Sequence, residues 1–184
     1  MNPERGWLEG TEHRPSPNRD PRPAGSIVDL LVIHNISLPP GEFGGPWIDA
    51  LFHNRLDPAA HPYFEEIKDL RVSSHLLIRR DGHLVQYVPL HLRAWHAGRS
   101  SFRGRAHCND FSIGIELEGT DTLPYEDAQY ATLAGATRQI MRLYPGITRD
   151  RMTGHSTIAP GRKTDPGPAF DWARFHAGIA SPYV

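Results

Sequence analysis

Residues 154–172 carry prolines at 160, 166 and 168 and glycines at 154, 161 and 167. Proline fixes φ and lacks an amide donor, so punctuation this dense excludes a regular helix or a central strand. It predicts a rigid loop, of the kind that places side chains instead of filling a core. Within the loop lie an imidazole, His155, an ammonium, Lys163, and a carboxylate, Asp165. A loop that gathers these groups reads as a site, with His155 and Asp165 as candidate metal ligands.

A catalytic zinc centre usually takes three protein ligands and leaves one position for water. The third candidate is His34, at the end of the apolar run 27–34, Ile-Val-Asp-Leu-Leu-Val-Ile-His. That run reads as a buried strand whose last residue emerges where the chain turns toward Pro39, Pro40 and Gly41. A hydrogen-bonded structural histidine is the alternative for His34, as it is for His155.

Elsewhere the pattern is mixed. Residues 11–26 are rich in Pro, Arg and Asn without periodicity, which predicts an irregular arm over the surface. Residues 47–52 read as a short helix. Residues 73–80 and 83–88 are β-rich runs about Asp81-Gly82, a pair suited to a type I′ hairpin turn. Residues 111–119 form another strand, with Ile113, Ile115 and Leu117 on one face and Gly114, Glu116 and Glu118 on the other. Apolar spacing at Leu133, Ala136, Ile140 and Leu143 predicts a helix over 125–143, ended by Pro145-Gly146. A strand near 151–153 leads into His155, and 172–178 can form a last helix. Clustered strands with helices between and after them predict an α+β fold, a mixed central sheet flanked by helices in one domain.

The chain has 184 residues and a formal net charge of −1, which suits one domain and gives no basic surface for nucleic acid. No apolar run reaches the roughly 20 residues of a membrane span. The first residues show no hydrophobic signal core, and Cys108 has no partner for an internal disulfide. Both features lead to the expectation of a cytoplasmic protein.

Two imidazoles and a carboxylate leave zinc near +1 charge with one open position, a centre suited to attack on an amide. Glu116 is the candidate general acid/base, with Glu118 on the same strand face as its rival. Lys163 can stabilise an oxyanion or can be a solvated surface cation. His75 and His96 can support a ligand; the other histidines read as surface or packing residues.

Three stretches carry a family resemblance: 32–35, Val-Ile-His-Asn; 113–119, Ile-Gly-Ile-Glu-Leu-Glu-Gly; and Gly154-His155 through Lys163-Thr164-Asp165-Pro166-Gly167. The chain resembles the zinc N-acetylmuramoyl-L-alanine amidases, whose fold is shared with peptidoglycan recognition proteins and phage lysozyme-type amidases. It is most similar to the AmpD-type cytoplasmic 1,6-anhydro-N-acetylmuramyl-L-alanine amidases. Trp7, Arg80-Asp81-Gly82 and the run 94–98 also fit, so the likeness covers nearly the whole chain.

An irregular arm over 1–26 is expected to precede the amidase domain, which the resemblance places over 27–184. It implies one Zn2+ held by His34, His155 and Asp165, with Glu116 and Lys163 catalytic. The implied substrate is an anhydromuropeptide, met by Asn35, Arg71, Ala94 and Trp95, with no obligate protein partner, nucleic acid or membrane. Peptidoglycan recycling and an influence on β-lactamase induction follow from the same likeness. His107 stands where the family carries an arginine, a departure that bears on carboxylate recognition. The rival readings are a non-catalytic peptidoglycan-binding module and a lytic amidase acting on intact cell wall.

Overall fold

The computed structural model describes residues 6–180; residues 1–5 of the expected arm and 181–184 of the expected domain lie outside the described residues. In chain order the elements are β1 (Glu12–His13), β2 (Arg19–Pro21), β3 (Leu30–Ile36), α1 (Trp47–Phe52) and α2 (Pro62–Ile67). Short strands follow: β4 (Leu76–Ile78), β5 (Leu84–Gln86), β6 (Leu92–Ala94), β7 (Ser101–Phe102) and β8 (Arg105–Ala106). The chain ends with β9 (Ser112–Glu118), α3 (Asp127–Leu143), β10 (Met152–Gly154), α4 (His155–Ile158) and α5 (Trp172–Ala180).

A six-stranded sheet runs in the order β1-β5-β4-β9-β3-β10. Its middle is parallel: β3 pairs with β9 and β10, and β4 with β9, all in the same direction, while β4 and β5 are antiparallel. This is the mixed sheet the pattern predicts. β9 is buried along its whole length, and β3 is buried from Leu30 to His34. Burial on both faces explains why these strands read as continuous apolar runs.

On one face Leu31, Ile33, Ile113, Ile115 and Leu117 pack against Leu133, Ala136 and Ile140 of α3 and Phe175 of α5. On the other, Leu77 and Val85 meet Ile48, Leu51 and Phe52 of α1 and Phe64 and Ile67 of α2. A third cluster, Leu30, Val32, Ala97, Cys108, Phe111 and Ile158, closes the opposite end of that second face. Between the second and third clusters the sheet presents polar side chains, and there the site lies. Among the described residues no helix is long and apolar enough to cross a membrane.

Several boundaries differ from expectation. β3 begins at Leu30, with Ile27 70% exposed, and runs two residues past His34, so that histidine lies inside the strand and not at its end. The expected arm carries β1, which pairs with β5, and β2, which pairs with β6. Ser16 and Asn18 between them are buried: Ser16 Oγ donates to Phe52 O, and Asn18 Nδ2 to Val72 O. These two strands are set by backbone pairing, which leaves no alternation to read.

The β4–β5 turn is not type I′. Within it only Gly82 has positive φ, +85°, and Gly82 N donates to Arg79 O while Arg79 N donates to His83 O. That is a three-residue loop, a type I turn followed by a left-handed glycine. The loop after β10 also holds one helical turn, α4, which the proline count did not predict.

Candidate metal centre

Strand register builds the site. His34 of β3 is the register partner of Glu116 of β9, and Val32 that of Gly114, so His34 and Glu116 project from the same sheet face. Gly154 of β10 pairs with Ile33 of β3, which brings the next residue, His155, alongside His34. Asp165 returns to both: Ser156 N donates to Asp165 O at 2.9 Å and Lys163 N to Ala159 O at 3.1 Å, folding the loop back on α4. Beyond it, Asn35 Nδ2 and Tyr125 Oη both donate to Pro166 O, and Ala169 N donates to Asp121 O. Gly167 takes φ +79°, and a Cβ there would lie 2.2 Å from Asp121 Cα, so only glycine fits this close approach.

The three donors converge. His34 Nδ1 lies 3.0 Å from His155 Nδ1 and 2.9 Å from Asp165 Oδ2, and His155 Nδ1 lies 3.1 Å from the same oxygen. Tetrahedral zinc with bonds of roughly 2.0–2.2 Å spaces its ligand atoms about 3.3 Å apart, so the triangle needs only a few tenths of an ångström of opening. Two imidazoles and one carboxylate are also the ligand types borderline-soft zinc accepts. The residues therefore fit such an ion.

The electrostatics favour the metal-ready forms. Burial pushes the His34 pKa down to about 4, which keeps the ring neutral near pH 7. Burial alone would raise the Asp165 carboxyl, but the two imidazoles that face it at 2.9 and 3.1 Å outweigh that and hold the group below the usual carboxylate range. Glu116 is the reverse case. Burial, then the nearby charge of Asp165, pushes its pKa well above the ordinary value, while Lys163 pulls it down. Its Oε2 is buried with no hydrogen-bond partner among the described residues.

His34, Glu116, His155, Lys163 and Asp165 line one cleft of about 320 Å³, whose far wall includes Phe52, Tyr63, Ile67, Leu70 and Trp95. That volume is at the lower end of ordinary small-ligand sites, roughly 300–1,000 Å³.

The match to known families is broad. Residues 24–168 match the family model described as N-acetylmuramoyl-L-alanine amidase. The chain belongs to that family. A relative from Escherichia coli strain K12 named 1,6-anhydro-N-acetylmuramyl-L-alanine amidase AmpD is 67% identical over 96% of each chain. The Haemophilus influenzae protein of the same name is 52% identical, again over 96% of each. A crystal structure of a selenomethionine AmpD derivative, 64% identical, superposes with TM-score 0.93 over 95% of this chain and 97% of that one. The amidase AmiD of E. coli, solved with anhydro-N-acetylmuramic acid-L-Ala-D-gamma-Glu-L-Lys, is 29% identical with TM-score 0.61, over 85% of this chain and 60% of that one.

The residues expected from sequence fall into distinct places. His34, His155 and Asp165 come together, with Glu116 and Lys163 on the same cleft. Glu118, the rival to Glu116, shares its strand face but is engaged: its carboxylate accepts from Gly44 N, Arg79 Nη1 and Arg80 N, and it does not line the cleft.

Trp95 and Asn35 line the cleft, but both Asn35 amide hydrogens are engaged, by Asp121 Oδ1 and Pro166 O. These two donors hold Asp121 and the loop after Asp165. Arg71 is exposed and is not among the residues that line the cleft, though Leu70 and Val72 on either side of it are; its guanidinium donates to the carbonyls of Lys68 and Leu70. Ala94 is fully buried in the core and is not among the residues that line the cleft. His107 is exposed at φ +60° and lies outside the cleft lining.

His96, one of the two histidines expected to be able to support a ligand, has its Nδ1 2.9 Å from His34 Nε2. One signal was present: Gly114, a glycine inside a buried strand, marks a close approach. A Cβ at Gly114 would lie 2.6 Å from the His96 ring.

Proposed function

We propose that this chain hydrolyses the amide bond between N-acetylmuramic acid and L-alanine in muropeptides, with the 1,6-anhydro sugar preferred, as a step of peptidoglycan recycling. One zinc ion per chain is held by His34, His155 and Asp165. The observation that carries this reading is the convergence of three donor atoms within about 3 Å of one another beside a buried, unpartnered carboxyl.

Zinc, when bound, supplies Lewis-acid polarisation of a carbonyl and lowers the pKa of water toward about 7. The chain's own residues supply the proton traffic. Glu116 takes a proton from the attacking water and returns it to the departing amide nitrogen, and its raised pKa brings it nearer the working pH. Glu118 is excluded from this part by its three internal donors. Lys163 places a cation where the oxyanion develops, a kind of donor whose removal costs roughly 3 kcal/mol of transition-state stabilisation.

Trp95 offers a flat apolar surface to the sugar or stem peptide. Asn35 meets substrate through its side-chain oxygen, because its hydrogens are engaged. Arg71, released from two neighbouring carbonyls, takes a stem-peptide carboxylate. The cytoplasm is the proposed compartment, consistent with a lone, buried Cys108.

The deciding experiment compares L-alanyl peptide release from soluble anhydromuropeptide with release from intact sacculi. Faster turnover of the soluble anhydro substrate supports a recycling enzyme. Preferential attack on sacculi would instead make the chain a lytic amidase, and zinc binding without turnover on either would make it a binding module.

A further inference from the structure

The hydrogen bonds behind His34 end on a carbonyl, and that end orders every proton along them. Cys108 O can only accept. Ser112 Oγ lies 2.6 Å from it and therefore gives it the single hydroxyl hydrogen. Ser112 Oγ, its proton so engaged, accepts from His96 Nε2 at 3.1 Å. A neutral imidazole carries one ring hydrogen, so His96 Nδ1 accepts, and the donor facing it at 2.9 Å is His34 Nε2. With its proton there, His34 has its lone pair on Nδ1, the atom that points into the ligand triangle.

The neighbouring residue does the same for the second ligand. His155 Nε2 donates to Ala97 O at 3.1 Å, which leaves its Nδ1 lone pair facing His34 Nδ1 and Asp165. The two-residue segment is itself pinned, since His96 N and Ala97 N both donate to Asn109 Oδ1, at 3.1 and 2.8 Å. Gly114 leaves the space in which the His96 ring lies.

We propose that His96 and Ser112 are positioning residues for the metal: the path Cys108 O–Ser112–His96 selects the Nε2-protonated form of His34, and the His96–Ala97 segment presents both ligand imidazoles with Nδ1 free. The inference rests on the zinc reading above and deepens it. Groups that orient ligand histidines in this way typically hold roughly 10–100-fold of metal affinity.

Two measurements test it. Long-range 1H–15N correlation spectra of zinc-loaded protein, with His96 assigned from His96→Gln, report which ring nitrogen carries the proton. Protonated Nε2 on both His34 and His96 is expected; a proton on His96 Nδ1 overturns the proposal. Chelator competition then compares zinc affinity in the wild type and Ser112→Ala. A loss of roughly 10-fold or more in Ser112→Ala is expected, and affinity within twofold of wild type overturns it. A wild type that takes up no zinc overturns the metal-site reading as well, whereas a zinc-binding wild type with the wrong tautomer overturns this inference alone.

Discussion

Glutamine in place of Glu116 keeps the shape of the side chain and removes its charge, so it separates two consequences of one buried carboxyl. The Glu116 side chain is 9% exposed, its Oε2 has no partner among the described residues, and its pKa is raised, first by burial and then by Asp165. Above the unfolded-state value of about 4.5 and below the raised folded-state value, the folded protein binds more protons than the unfolded chain, so this group lowers stability as pH rises. Glutamine has no such dependence. In metal-free protein, Glu116→Gln is expected to match wild type near pH 4 and to exceed it near pH 8.

An unsatisfied buried polar group costs about 1–3 kcal/mol, more when charged, and the amide still carries part of that cost. A net gain of roughly 1–2 kcal/mol is therefore expected at the higher pH. For a chain of this length that is about 2–8 °C in Tm. The assay is thermal unfolding of chelated wild type and variant across pH 4–8, since a bound dication would itself depress the carboxyl pKa. Turnover of the loaded variant should fall by roughly 10² to 10⁴, the contribution of a general acid/base. A variant no more stable at pH 8 than at pH 4 relative to wild type, or one with near-normal turnover, would refute the assignment.

Two further substitutions probe the frame around the site. Gly167→Ala meets Asp121 Cα at 2.2 Å from a positive φ; a loss of roughly 1–3 kcal/mol from backbone strain alone is expected in urea unfolding, with weakened zinc retention because the same loop carries Asp165. Arg79→Met strips the buried Glu118 of its cation at 3.0 Å and should cost roughly 3–5 kcal/mol, while turnover of the folded fraction stays near wild type because Glu118 is outside the metal cleft.

How far the sequence reached depended on whether a feature was local. β3 and β9 were legible as apolar runs because both faces of the central strands are buried. α3 was legible from its 3.6-residue period and from Pro145-Gly146 after it, and Glu126 with Gln129 closes its start as a capping box. The strands of the arm were not, because β2 is held by backbone pairing with β6 across a separation no local pattern records. The α4 turn is permitted because its four residues, His155–Ile158, precede the first proline of the loop.

At the site, residue types and loop spacing brought out His34, His155 and Asp165, and the register of β3 with β9 and β10 explains why residues so distant in sequence meet. Glu116 was the choice from sequence, but Glu118 stayed its rival because both share a strand face. Arg79, Gly44 and the Arg80 amide, from other segments, occupy Glu118, while Glu116 Oε2 has no partner among the described residues. Sequence named His96 as a residue able to support a ligand but not which ligand, because its link to His34 spans 62 residues and exists only in the fold.

The most direct test of the account is zinc-edge X-ray absorption on purified, metal-loaded protein together with its metal content, in the wild type and in Asp165→Ala. One zinc per chain with two imidazole nitrogens at roughly 2.0–2.1 Å and a carboxylate oxygen at roughly 2.0–2.2 Å is expected, with the metal lost in the variant. A wild type without zinc, or a zinc ion that Asp165→Ala retains with its coordination unchanged, would contradict it.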